Sequence, residues 1–222
     1  KKVIILLIGG IMKNNFLSKV FLWLCIGLLV SFGLGYALLY SEDLLIVLLN
    51  NFSIVAIAEI VVALIFSFGL SKMSDTTAKI LYLVYSGLTG VTFSVIFLLF
   101  EASSILWVLL ATAIIFGLLA LIGSKLKINL SGFGTFLLIS LLGMIVLGII
   151  NMFLLNEALD LTICFVSIFI FAGYIIYDIN RIFKLSQFQL EEKYAIFWAF
   201  QLYLDIINII IKLLRLFGKR RD

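Results

Sequence analysis

Three carboxylates stand in apolar stretches of the sequence. Asp178 lies in Tyr174-Ile-Ile-Tyr177-Asp178-Ile-Asn-Arg181, Asp205 lies in Gln201-Leu-Tyr-Leu-Asp205-Ile-Ile-Asn208, and Glu59 interrupts a run rich in Ile, Val and Ala. A charge near mid-membrane costs about 2.5–3.5 kcal/mol on insertion scales, so each acid asks for a partner or a function. Two carboxylates brought together in a low-dielectric interior share a proton rather than both ionise, which makes a proton switch without imidazole. Asp178 and Asp205 are the candidate pair. Asp178 and Arg181, three apart on one helical face, alternatively form a simple ion pair at the end of a span. Glu59 is expected to pair with a basic residue such as Arg215.

Gln201, Asp205, Asn208, Lys212 and Arg215 follow one another at intervals of 4, 3, 4 and 3, which places all five on one helical stripe. Lys212 and Arg215, near the end of the chain, fit snorkelling to the interface. Asp178, Asp205, Glu59 and Asn208 offer oxygens for a transient cation, with Asp178 and Asp205 the closest thing to a metal site. Such a set is weaker than the six to eight oxygens of a closed calcium cage, and weak binding suits conduction.

The elements that must hold these residues are membrane helices. Of 222 residues, 64% are hydrophobic and 13% charged, against roughly 45–50% and about 25% in soluble proteins. Stretches long enough to cross about 30 Å of hydrocarbon fall near 20–40, 44–70, 80–100, 105–123, 133–155, 161–178 and 194–217. The short polar gaps between them leave no room for a soluble domain, so residues 12–222 read as one seven-helix membrane domain. Residues 1–11 precede a Met12-Lys-Asn-Asn start and form an extension to which no role is given.

Histidine and proline are both absent. That removes the Ser-His-Asp triad, the HExxH zinc site and proline kinks. Cys25 and Cys164 sit in apolar runs without CxxC spacing and read as packing residues. Gly27, Ser31 and Gly35, and likewise Ser86, Gly90 and Ser94, recur every four residues and make smooth stripes for close helix approach.

Lysine and arginine cluster at the N-terminus and in the second, fourth and sixth gaps, whereas the first, third and fifth gaps carry only acids. The positive-inside rule therefore puts the N-terminus in the cytoplasm. The seventh span conflicts with it, because a full crossing leaves Lys219, Arg220 and Arg221 on the acidic side. Its polarity suits the centre of a bundle or a re-entrant position.

Three segments carry a resemblance: Ser86-Gly-Leu-Thr-Gly90, Tyr174 to Arg181, and Gln201 to Asn208 continuing through Leu213-Leu-Arg215. With them the chain resembles the Bax inhibitor-1, or transmembrane Bax inhibitor motif, family, and is most similar to its small bacterial members. The resemblance implies an all-α bundle of six helices around a central C-terminal seventh. It also implies a pH-sensitive calcium leak in a bacterial inner membrane. The family's paired-aspartate sensor matches Asp178 and Asp205, its second-helix acid matches Glu59, and its seventh-helix arginine matches Arg215. The family's arginine that latches to the sixth-helix aspartate has no clean counterpart: the region reads Ser71-Lys72-Met73, and Lys72 as its substitute lacks the bidentate fork.

The expected partners are the lipid bilayer, Ca²⁺ as transported ion and protons, with no cofactor and no nucleic acid. Some bacterial relatives are associated instead with regulating a membrane protease, so a regulator that binds a membrane partner is the alternative. An intramembrane aspartyl protease fits less well. Tyr177-Asp178 suits one half of that site, but Asp205 follows Tyr203-Leu204 where a GxGD segment is required. The chain is accordingly read as a non-enzyme.

Overall fold

The computed structural model describes residues 15–221, so the extension at 1–11 lies outside the described residues. The chain folds as an all-α membrane bundle: α1 (Asn15–Leu38), α2 (Glu42–Asn50), α3 (Phe52–Gly69), α4 (Asp75–Leu99), α5 (Ala102–Lys125), α6 (Ser131–Leu154), α7 (Glu157–Leu185) and α8 (Glu192–Phe217). Seven of these are long and apolar enough to cross a membrane. In hydrocarbon the helix is favoured because it satisfies every backbone group within its own segment.

Two boundaries depart from the sequence reading. The expected second span, 44–70, is two helices. Asn51 breaks them at φ −110° and ψ 21°, and its Nδ2 donates to Val47 O at 2.8 Å, an asparagine side chain competing for helix backbone. The nine residues of α2 reach only about 14 Å, too short to cross. Its Leu48 packs with Leu88 against Leu38, Val55 and Val91. The sixth span does not end at Asp178 but continues as helix to Leu185, so Asp178 sits inside a regular ladder of hydrogen bonds.

The chain forms two compact units, one made of the chain through Leu99 with Lys184–Tyr203, the other of Phe100–Phe183 with Leu204–Asp222. In the first unit the small-residue stripes bring α1 and α4 together. A Cβ on Gly27 would lie 2.0 Å from Tyr82 Oη, and one on Gly90 would lie 3.1 Å from Ser31 O. The start of α8 is tied down in the same unit. Glu192 pairs with Lys79 Nζ at 3.0 Å and accepts from Trp23 Nε1 at 3.2 Å, while Lys193 N donates to Asp75 Oδ1 at 2.9 Å.

In the second unit α7 packs closely on α5 and α6. A Cβ on Gly123 would meet Ile176 O at 2.7 Å, and one on Gly134 would meet the Tyr177 ring at 2.6 Å. Asn180 Nδ2 donates to Gly123 O and to Leu126 O, supplying partners for carbonyls at the end of α5. The end of α8 meets the starts of α5 and α7. Lys219 Nζ lies 2.6 Å from Glu101 Oε1, Lys219 N donates to Ser104 Oγ at 3.0 Å, and Arg215 Nη2 lies 2.6 Å from Asp160 Oδ2. The basic tail therefore places Lys219 on the acid of the third gap, while Arg215, within α8, pairs with Asp160.

α8 is the most deeply buried span. Of its most apolar stretch 67% is buried, against 44% or less in each of the others. Its 26 residues are uninterrupted helix, about 39 Å long and sufficient for a full crossing.

Candidate functional site

The second unit brings Asp178 of α7 and Asp205 of α8 together. Both are buried, at 6% and 5% exposure, and their charges are close enough to act on one another. Burial follows from the neighbours in sequence. Ile175, Ile179 and Ile182 on α7, and Ile206, Ile209 and Ile210 on α8, are buried with them, so each acid rides on a face that the apolar residues take out of contact with lipid. Asp205 Oδ2 is buried without a hydrogen-bond partner. Tyr174, one turn before Asp178, feels the charges of both carboxylates. The sequence reading quoted Tyr174 within its motif and gave it no role; its i, i+4 spacing from Asp178 was the available signal.

Arg181 acts electrostatically on Asp178 from the next turn. Its Nη1 donates to Tyr177 Oη at 2.7 Å, and its guanidinium lies 5.8 Å from that ring's centroid, a hydrogen bond combined with a cation–π contact.

Along α8 the polar stripe rises from burial to exposure. Asp205 is buried, Asn208 and Lys212 are half-buried, and Arg215 is exposed. Asn208 Nδ2 donates to Leu204 O at 2.8 Å, which leaves its carbonyl oxygen on the stripe. Lys212 and Arg215 reach a cavity of about 430 Å³ whose walls include Asn151, Asn156, Glu157 and Asp160. Arg215 takes its ion pair from Asp160, an acid of the fifth gap, and not from Glu59 as expected.

Glu59 belongs to the first unit. Its Oε1 accepts from Thr92 Oγ1 at 3.2 Å, a neutral donor rather than a basic one. Lys72 closes the short 3₁₀ turn after α3 and is exposed. Among the described residues there is no group of three or more His, Cys, Asp or Glu that would hold a metal tightly. A pair of carboxylates with a few neutral oxygens holds a hard cation only in passing.

The protein-family model described as inhibitor of apoptosis-promoting Bax1 matches residues 13–222. The inner membrane protein YbhL of Escherichia coli is 32% identical over 218 residues, covering 94% of this chain and 93% of that one. A protein of Borreliella burgdorferi is 34% identical over 220 residues, 96% of this chain and 95% of its own. A membrane protein of Streptococcus pyogenes is 31% identical, covering 93% of each chain. With the seven spans and the aspartate motifs at the places that first pointed to it, the chain belongs to the Bax inhibitor family of bacterial membrane proteins.

Proposed function

We propose that this protein is a pH-sensitive cation leak of the bacterial inner membrane, with Ca²⁺ the transported ion, the N-terminus in the cytoplasm, and no enzymatic step. The observation that supports it is the meeting of Asp178 and Asp205, two buried carboxyls in electrostatic contact within membrane-length helices. With both acids ionised, the pair attracts a cation and supplies hard oxygen ligands. One shared proton lowers that attraction and a second abolishes it. Protonation of Asp178 also removes its attraction for Arg181, three residues further along the same helix. The graded stripe Asp205, Asn208, Lys212 and Arg215 supplies a polar route to the cavity beside Asp160.

Ca²⁺ flux into proteoliposomes carrying the purified chain tests this, measured from about pH 5 to about pH 8 for the unmodified protein, Asp178→Asn and Asp205→Asn; asparagine keeps the shape and removes the titration. The expected result is a pH-dependent flux whose midpoint moves or disappears in either variant. Folded protein without flux at any pH would overturn the reading and leave regulation of a membrane partner in its place.

A further inference from the structure

The cavity beside Asp160, about 430 Å³, lies in the second unit where α7 begins and α8 ends. Each helix brings two charges to it, three residues apart: Glu157 and Asp160 on α7, Lys212 and Arg215 on α8. Arg215 and Asp160 close on one another at 2.6 Å. The Lys212 ammonium and the Glu157 carboxylate have no ion pair or hydrogen bond among the described residues. α7 runs away from this end and α8 runs towards it. Lys212 is therefore one turn deeper than Arg215, and Glu157 one turn shallower than Asp160, each by about 4.5 Å at 1.5 Å per residue. Their exposure agrees, since Lys212 is half-buried and Glu157 exposed.

The amides around the cavity add donors. Asn151 Oδ1 accepts from Asn156 N at 3.1 Å, and Asn156 Oδ1 accepts from Leu159 N at 2.9 Å. Each carbonyl is thereby used by the backbone, and each Nδ2 keeps two hydrogens for another acceptor. Met152 and Leu155, 74% and 81% exposed, supply an apolar edge. Leu155 holds φ 51° and ψ 35°, the left-handed position after a helix where glycine is the usual residue. The chain carries an apolar side chain there at a cost in backbone strain.

We propose that this cavity seats the headgroup of a zwitterionic phospholipid, phosphatidylethanolamine, with its phosphate on Lys212 and the asparagine amides and its ammonium on Glu157. A phospholipid carries its phosphate beside the glycerol and its ammonium further towards water, the same order as Lys212 and Glu157 along the two helices. The four charged side chains carry two charges of each sign, which suits a zwitterion, whereas an anionic headgroup leaves Glu157 unanswered. A quaternary ammonium has no hydrogen to donate to that carboxylate. The apolar edge gives the lipid's chains a surface that a soluble zwitterion cannot use. The proposal rests neither on cation leak nor on the aspartate pair.

The test is thermal unfolding of the full chain in detergent, titrated with short-chain phosphatidylethanolamine, phosphatidylcholine or phosphatidylglycerol, and separately with soluble phosphoethanolamine. The expected result is a saturable rise in melting temperature with phosphatidylethanolamine, about 4 °C at ten times the half-saturating concentration. The other two lipids should give less, and soluble phosphoethanolamine none. Lys212→Met should lose the rise, and Lys212→Arg, which keeps a phosphate donor, should retain it. Glu157→Gln should bring phosphatidylethanolamine down to the level of phosphatidylcholine. Should Lys212→Met fail to fold, the exposed Glu157→Gln still decides. An equal response to all three lipids, a rise that survives Lys212→Met, a preference that survives Glu157→Gln, a rise with soluble phosphoethanolamine as large as with lipid, or no rise at all would overturn the proposal.

Discussion

Arg215 of α8 and Asp160 of α7 form an ion pair, Nη2 to Oδ2 at 2.6 Å, with side-chain exposures of 50% and 23%. It fastens the end of the most buried helix to the start of the helix that carries Asp178. Because both side chains are partly exposed, the pair holds position more than it holds stability. A double-mutant cycle with Asp160→Asn and Arg215→Gln, read by unfolding in detergent, should give a coupling of about 1 kcal/mol or less that weakens with added salt. A coupling several times larger would mean that the pair is desolvated in the membrane.

Gly27 is placed where no side chain fits. Its Cβ would stand 2.0 Å from Tyr82 Oη, and Tyr82 is itself wholly buried and donates to Trp23 O at 2.9 Å. Gly27→Ala should therefore cost about 1–3 kcal/mol by overpacking and by breaking that hydrogen bond. Gly33→Ala on the same helix meets nothing within 4 Å and should be neutral or slightly stabilising through helix propensity. Comparing the two melting temperatures separates close packing from a general effect of glycine.

Asn180 supplies both hydrogen atoms of its amide to backbone carbonyls, Gly123 O and Leu126 O, at the end of α5. Asn180→Leu fills the same space and leaves two carbonyls without donors. A loss of about 1–3 kcal/mol is expected, with faster hydrogen exchange confined to residues around 123–127. Exchange that rises evenly through α5 and α7 would argue for a packing role instead.

Glu101 is held below the usual carboxylate range, first by the hydrogen bond from Lys219 and then by the nearby positive charges of Lys219 and Arg221. A depressed carboxyl contributes stability that is complete above its unfolded value and is lost as pH falls through its folded value. The C-terminal tail should thus stay docked at neutral pH and at mildly acidic pH, and detach only below the ordinary carboxylate range. Hydrogen exchange at Lys219, corrected for intrinsic rate, should rise there, and Glu101→Gln should show the raised exchange already at neutral pH.

Much of the architecture was legible in the chain. Spans are long sums of side-chain hydropathy, so errors at single residues cancel, and seven helices could be counted before any contact was known. The periodic small residues at Gly27, Ser31 and Gly35 told of close helix approach, because a missing Cβ is a local property. The acids stood out for the same reason: each costs too much in its own apolar stretch to pass as neutral.

The partners of those acids were another matter. Spacing along α8 placed Arg215 on the stripe of Asp205, yet its ion pair is with Asp160, fifty-five positions earlier by subtraction of the two residue numbers. The helix break at Asn51 was visible only as two adjacent asparagines within an apolar run, and the extension of α7 past Asp178 ran against the polarity of Asp178, Asn180 and Arg181. Tertiary structure decided these points, because the energy of a charge depends on which helix ends meet and how much water remains between them. Hydropathy along one strand of sequence contains no term for that. The residues therefore determined that helices must cross and that buried acids must be answered, and the packing of the helices determined which groups answer them.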